Sequence, residues 1–362
     1  MIRHYSAFTN TLKIISKPEE IDLPDRFDRF FPSDANILIY SNIPKDSHQD
    51  PKKINSIANK NDIVLFDIST EACHIKTSKE IKEKVNNKLY FLQSGLDYRD
   101  DEDFIFHPGF YRYDFSDAKP FINRTYRYSS LSRLLGNRDQ RLIFTYQLYR
   151  LGILDKGLVS CGSGETEQSI AFMKSYIKSM QKDFLNSLPL LIDGYTDVKK
   201  VSNHNSINNP GSDATYNIIL ESSIDDQDSS IHPELNYHGG WNRHFFTEKS
   251  AKAFNCMQIP LIVGPYKYVQ RLRDLGFDMF DDIVDHSYDD IKSNDARINM
   301  VADEIKRLTS DANYNKVITS YTNLKDRLEK NSVNIKTLHE KEYVEFHDTL
   351  FHIYKKSVNK VI

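Results

Sequence analysis

Residues 62–67 read Asp-Ile-Val-Leu-Phe-Asp, and this run decides the fold. It is a short apolar block, β-branched or aromatic in most positions, with an acid at each end. A strand covered on one face alternates apolar and polar residues. A strand apolar at every position is buried on both faces, as in a parallel sheet sandwiched by helices. Two runs of the same kind flank it, Asn36 to Tyr40 (NILIY) and Lys88 to Leu92 (KLYFL). A charged segment of helical composition, Ser78 to Val85, precedes the last of them. Strand–helix–strand alternation predicts an α/β fold. Residues 1–35 carry no such pattern and read as irregular.

Working outward, Arg138 to Leu151 has the composition of an amphipathic helix, with Gly152 placed to end it. Leu158 to Ser160, Asn217 to Leu220 and Leu261 to Val263 read as further strands. Helices are expected at Glu167 to Leu185, Lys249 to Cys256, Tyr268 to Leu275 (stopped by Gly276) and Asp295 to Leu308, with two more reaching Tyr354. The expected organisation is two Rossmann-like halves, residues 1–125 and 126–310, followed by a helical tail, 311–362. Open α/β sheets place ligands at strand C-termini and helix N-termini.

Composition removes several function classes. Lys plus Arg is 48 and Asp plus Glu is 51, a net charge of −3, so nucleic-acid affinity through bulk charge is not indicated. Mean hydropathy is −0.56, and no apolar run approaches the ~20 residues of a membrane helix, so no membrane partner is expected. Residues 1–13 lack an apolar signal core. Cys73, Cys161 and Cys256 are too scattered for a disulfide framework or a zinc site, which suits a reducing, cytoplasmic setting.

Three segments carry chemistry. Arg141 opens the helix before Leu142-Ile143-Phe144. Glu221 closes the strand Tyr216-Asn217-Ile218-Ile219-Leu220. Thr247-Glu248-Lys249 starts a helix that leads to Pro260-Leu261-Ile262-Val263-Gly264-Pro265. A strand ending on Glu221 delivers a carboxylate to the ligand-binding end of a sheet. Thr247 is a plausible N-cap for the helix it precedes, whose free N–H groups face an anion. Lys249 adds a mobile positive charge and Arg141 a planar fork suited to phosphate oxygens. Glu248 has the chemistry to accept both hydroxyls of a ribose. The plainer reading makes Thr247-Glu248 a capping pair and Lys249 a solvated lysine.

In order and spacing these segments resemble the nucleotide-sugar domain of α1,3-fucosyltransferase-type glycosyltransferases. That family shows an Arg opening a helix, a strand ending F-E-N-S, then T-E-K-L-W and V-P-V-V-L-G-P. Glu221-Ser222 matches E-N at the Glu, Thr247-Glu248-Lys249 matches in full, and Val263-Gly264-Pro265 stands where L-G-P does. Phe246 to Arg297 is also similar to a group of virus- and bacterium-encoded glycosyltransferase-like sequences, through Leu272-Arg273-Asp274-Leu275-Gly276-Phe277, Ser287-Tyr288-Asp289 and Arg297. The resemblance covers about residues 135–310. It implies a GT-B architecture: two Rossmann-like domains facing across a cleft, with a nucleotide-diphosphate sugar (UDP- or GDP-linked) held mainly by the second and no metal required. Carried over by position, Arg141 and Lys249 bind the diphosphate, Glu248 the ribose, and Glu221 supports the sugar or the phosphate-binding loop. The chain departs from the fucosyltransferase pattern in the longer gap between Glu221 and Thr247 and in Ala251, where that family has Trp. The donor sugar therefore does not transfer.

In an inverting GT-B enzyme a carboxylate or His of the first domain deprotonates the acceptor hydroxyl. Asp67 and Glu71 fit by following the 62–67 strand, with Asp97 and His107 next. Asp67 as a simple turn cap is the competing reading. Lys119 to Arg141 carries Lys119, Arg124, Arg127, Arg133, Arg138 and Arg141 among Phe121, Tyr126 and Tyr128, the composition of a nucleic-acid groove, or of a phosphate-facing rim of the donor site together with ordinary packing, which is the preferred reading. Some phage glycosyltransferases of GT-B architecture decorate modified cytosines in DNA, so the resemblance implies modified cytosine in phage DNA as one acceptor class, placed first, and a surface glycan precursor as the other. A non-catalytic nucleotide- or nucleic-acid-binding protein is the competing class. Asp100-Asp101, Asp225-Asp226, Asp281-Asp282 and Asp289-Asp290 read as solvated turns in preference to metal ligands, and His232, His238 and His244 as surface histidines. The polar stretch 222–244, with Gly239-Gly240 and Trp241, reads as a lid.

Overall fold

A computed structural model describes residues 2–6, 11–15, 37–41, 51–58, 63–67, 81–86, 88–93, 104–106, 124–132, 135, 138–163, 165–192, 210–221, 224, 244 and 247–358. The protein is mixed α/β with parallel sheets. It divides into two compact units, Met1–Tyr111 with Leu338–Ile362, and Arg112–Thr337.

In the first unit, strands β1 (Ile2–Ser6), β2 (Thr11–Ile15), β3 (Ile37–Ser41), β4 (Ile63–Asp67), β5 (Lys88–Gln93) and β6 (Phe104–Phe106) form one sheet in the order β2-β1-β3-β4-β5-β6. The three apolar runs are β3, β4 and β5, adjacent and parallel, with Ile37 beside Ile63 and Ile63 beside Lys88. Ile63, Val64 and Leu65 are buried in succession, so β4 is covered on both faces as its composition requires. Ile54 of helix α1 (Pro51–Ile57), Ile81 and Val85 are buried with them. Asn55 ties α1 to the next turn: its amide donates to Lys84 O at 2.9 Å and its oxygen accepts from Asn86 N at 2.9 Å. Of the expected helix at 78–85, the described residues 81–84 form a helix end and a turn. The irregular reading of residues 1–35 is corrected by β1 and β2, an antiparallel pair whose first strand runs parallel to β3. Neither IRHYS nor TLKII is apolar enough to announce itself. Long-range pairing with β3 makes them strands.

In the second unit, β7 (Tyr126–Ser132), β8 (Gly157–Cys161), β9 (Ala214–Leu220) and β10 (Ile259–Val263) form a wholly parallel sheet in the order β10-β9-β7-β8. The expected strands near 158, 217 and 261 are all present. The central strand β7 was hidden, because YRYSSLS buries Ser129, Ser130 and Ser132 where a core strand usually buries aliphatics. Helix α2 (Asp139–Arg150) is buried from Gln140 through Leu148 and packs on β8. Gly152 ends it at φ 64°, with Gly152 N donating to Tyr149 O at 3.0 Å and Ile153 N to Leu148 O at 3.2 Å. This Schellman closure needs the left-handed conformation that glycine adopts without strain. The single helix expected over 167–185 is two, α3 (Glu167–Tyr176) and α4 (Lys182–Ser187). Ile177 and Met180 turn inward between them, and Gln181 N donates to the Tyr146 hydroxyl at 3.2 Å. Tertiary burial overrides local propensity there.

Helix α5 (Glu248–Asn255) packs on β9 and β10; α6 (Tyr268–Asp274) follows β10; α7 (Asn294–Leu308) packs beside α2; α8 (Asp311–Thr319) and the long α9 (Tyr321–Val358) complete the chain. β10 lies at the sheet edge, and Ile262 N on it donates to the Tyr288 hydroxyl at 3.3 Å. Tyr288 thereby answers an edge N–H that would otherwise invite another strand. No helix among the described residues is long and apolar enough to cross a membrane.

Candidate functional site

In the second unit the strand order reverses between β7 and β9, since the chain runs from β7 outward to β8 and then returns to β9 on the other side. The C-terminal ends of those two strands are the topological switch point, where open α/β sheets bind ligands. β7 ends there on Ser132, and Glu221 follows β9. The α2 start reaches the same place: Gln140 Nε2 donates to Glu221 O at 3.1 Å, and Arg141 Nη2 lies 3.5 Å from Leu220 O. Arg141 is 5% exposed.

Glu221 is 2% exposed, and three hydroxyls converge on its Oε1: Thr247 at 3.0 Å, Ser250 at 3.0 Å and Tyr268 at 3.1 Å. Thr247 also caps α5, its oxygen accepting from Lys249 N at 3.1 Å. The Thr247 hydroxyl therefore spends its proton on Glu221 and a lone pair on the helix. Glu221 and Thr247 form a buried brace that joins β9, α5 and the start of α6. Lys249 is half-buried in the first turn of α5, and Glu248 occupies the position before it. Arg141, Glu221, Thr247 and Lys249 are thus gathered at one end of one sheet. Asp67 ends β4, at the C-terminal edge of the first unit's sheet. Glu71, Asp97 and His107 lie outside the described residues, as do Lys119, Arg133, His232, His238 and nearly all of the 222–244 stretch.

At Arg124 and Arg127 the basic stretch follows the packing reading. The Arg124 guanidinium donates to Ser212 O, to Ala214 O at 2.9 Å and to Cys256 O at 2.6 Å. Arg127 pairs with Asp311 at 2.7 Å, donates to Thr309 O and stacks 4.8 Å from the Tyr314 ring centre. Both lie toward the start of β7, the end of the sheet opposite Ser132, and serve the fold instead of a phosphate backbone. The Tyr128 hydroxyl donates to Ile153 O at 2.8 Å. His244 is half-buried, not on the surface, and its Nε2 lies 2.8 Å from Tyr266 O, which can only accept.

The acid pairs Asp281-Asp282 and Asp289-Asp290 are taken by cations and backbone. Arg273 pairs with Asp281 at 2.6 Å, Lys267 with Asp290, and Asp289 accepts from Val269 N and Gln270 N at 3.0 Å each, capping α6. These groups line an open polar hollow of about 650 Å³ whose named charges are bonded to one another. No group of three or more His, Cys, Asp or Glu among the described residues could hold a metal ion. Arg297, 1% exposed, donates to Gly264 O at 3.0 Å and also to Ile291 O and Asn294 Oδ1. It ties the loop after β10 to α7 from inside.

Sequence reasoning missed Ser250 and Tyr268 as donors to Glu221. Their signal is positional: Ser250 stands three residues after the Thr247 cap, one helical turn on the same face, and Tyr268 opens the next helix. It also missed Ser132, because a lone Ser in a strand carries no motif. Burial pushes the Cys161 thiol, beside Ser132 across the sheet, up to about 12, so it stays a neutral S–H at physiological pH. No protein-family model, curated protein or solved structure matches the chain.

Proposed function

We propose that the protein is a nucleotide-sugar-dependent glycosyltransferase of GT-B architecture, a hexosyl- or pentosyltransferase acting on a hydroxyl acceptor. The observation that supports this reading is the gathering of Arg141, Glu221, Thr247 and Lys249, distant in sequence, at the switch point of one parallel sheet. That is where a doubly wound sheet holds a nucleotide, and the motif order resembles a nucleotide-sugar domain. The donor is a UDP- or GDP-linked sugar. Its diphosphate meets Arg141 and Lys249, and its ribose meets Glu248. Positive side chains and a helix start stabilise the negative charge that develops on the departing diphosphate, work that needs no bound cation. Asp67, at the end of β4, takes the acceptor proton, with Glu71 as the second carboxylate. Arg124 and Arg127 no longer favour DNA as the acceptor, because both are bonded within the fold. A hydroxyl of a surface glycan precursor is the acceptor that this leaves.

A thermal-shift screen of UDP, GDP, CMP and their sugars tests the reading. A ligand that binds the native state raises its stability by RT ln(1 + [L]/Kd), so one nucleoside diphosphate is expected to stand out. Lys249→Ala should abolish most of that shift, and the matching sugar nucleotide should be hydrolysed slowly. A clear shift with no turnover of any sugar nucleotide would leave a non-catalytic nucleotide-binding protein. No shift with any of them would reject the donor site itself.

A further inference from the structure

The end of β7 holds a group that the site so far does not use. Ser132 is 1% exposed, and its hydroxyl has no hydrogen-bond partner among the described residues. Buried hydroxyls in folded proteins are normally bonded, so an exception at a ligand-binding edge calls for a reason. Ser132 pairs across the sheet with Cys161, and residues paired in a parallel register point to the same face. Tyr128, four residues earlier on the same face of β7, donates its hydroxyl to Ile153 O just beyond the end of α2, so Ser132 points to the side on which α2 lies.

Arg141 narrows the place further. Its guanidinium reaches Leu220 O at the end of β9. β7 runs parallel to β9 with Ser129 beside Asn217, and that register carried three residues on puts Ser132 beside Leu220, so Arg141 stands at the end of β7 where Ser132 sits.

The start of α2 completes the setting. Three other helix starts around this sheet are answered by oxygen acceptors of the chain. α3 is capped by the Thr166 hydroxyl, α5 by Thr247 with Glu221 behind it, and α6 by the Asp289 carboxylate. α2 has Arg138 at its N-cap, which makes no side-chain cap hydrogen bond, and Asp139 stands in its first turn. A 12-residue helix, a buried guanidinium and an unsatisfied hydroxyl therefore meet at the switch point.

We propose that the anionic end of the ligand, a diphosphate group, binds at the start of α2, where the Ser132 hydroxyl donates to a phosphate oxygen beside Arg141. This deepens the glycosyltransferase reading and rests on it for the identity of the diphosphate. It moves the anion from the α5 start, which Glu221 already serves, to the α2 start. Lys249 then reaches the same diphosphate from the α5 side.

Calorimetric titration of inorganic pyrophosphate, UDP and GDP into the full chain and two variants tests this. Ser132→Ala removes a hydroxyl with no protein partner, so its melting temperature should equal or exceed that of the parent. Its affinity for the diphosphates should fall about tenfold or more, the loss for one hydrogen bond to a charged group. Ser130→Ala removes an equally buried, equally unsatisfied hydroxyl about 6.6 Å deeper in the strand, and should bind like the parent. A Ser132→Ala variant that binds UDP or GDP at parental affinity overturns the proposal while leaving the donor-site reading standing. A variant that melts well below the parent makes Ser132 a structural hydroxyl and overturns it too. Pyrophosphate binding that depends on Ser132, with no nucleoside diphosphate bound and no sugar nucleotide turned over, keeps the anion site and ends the glycosyltransferase reading. A parent chain that binds none of the three anions overturns both.

Discussion

Glu221 shows how one buried carboxylate ties a strand to two helices. A buried carboxylate is costly unless its oxygens are met, and three hydroxyl donors meet Oε1. Glu221→Ala would leave those hydroxyls without their acceptor at about 1–3 kcal/mol each, so a loss of roughly 3 kcal/mol or more is expected. Glu221→Gln keeps a carbonyl oxygen in the same place and should lose clearly less. Urea midpoints of the two variants test this, and equal losses would mean that the charge, not the oxygen, holds the brace. His286 makes a second residue-scale prediction. Its Nε2 donates to Met279 O at 2.7 Å and its Nδ1 accepts from the Tyr288 hydroxyl at 2.7 Å, so the ring is held neutral. Burial lowers its pKa from the ordinary 6.5. The unfolded chain therefore binds this proton more readily than the folded one. Stability from this source is full above about pH 6.5 and drains as the pH falls below it. His286→Gln should flatten the pH dependence of unfolding below about pH 6.5.

At the scale of elements, α9 grips the loop after α6. Arg327 bonds Asp278 at 2.6 Å and Asp282 at 2.8 Å, and Asn331 exchanges hydrogen bonds with the Asp278 backbone at 2.8 and 2.7 Å. The Arg327 guanidinium holds both carboxyls below their ordinary pKa. Depressed carboxyls stabilise the fold above their unfolded pKa, about 4, and that stability is lost as the pH falls through the folded values. Asp282 is 63% exposed, so solvent screens much of its share. Arg327→Ala should therefore cost only about 1–2 kcal/mol at neutral pH, and less in strong acid. Denaturation at two pH values checks both the size and the direction.

For the whole molecule, the residues that carry the donor-site proposal all lie in the second unit, at the C-terminal end of its sheet. On the proposed reading, in which Arg141, Lys249 and a helix start meet the charge on the leaving diphosphate, sugar-nucleotide hydrolysis should survive EDTA. Complete loss on chelation, restored by Mg²⁺ or Mn²⁺, would reject that account of the leaving group.

Much of this architecture was written locally. Runs apolar at every position, such as Ile63 to Leu65, can be buried only between two layers, so β3, β4, β5, β9 and β10 were legible one by one. Gly152 and Gly276 marked their helix ends because each must take a positive φ, 64° and 84°. Thr247 was legible as a cap because a hydroxyl before a helix has one neighbouring partner to find. Tertiary structure decided the rest, wherever the partner lies far along the chain. β1, β2 and the serine-rich β7 are strands because of what they pair with. Arg124 and Arg127 have the composition of a nucleic-acid surface, but carbonyls some 88 to 182 residues away claim them. The hydroxyls on Glu221 and the unanswered hydroxyl of Ser132 belong to that second class, since satisfaction of a polar group is a property of its surroundings and not of its neighbours in sequence.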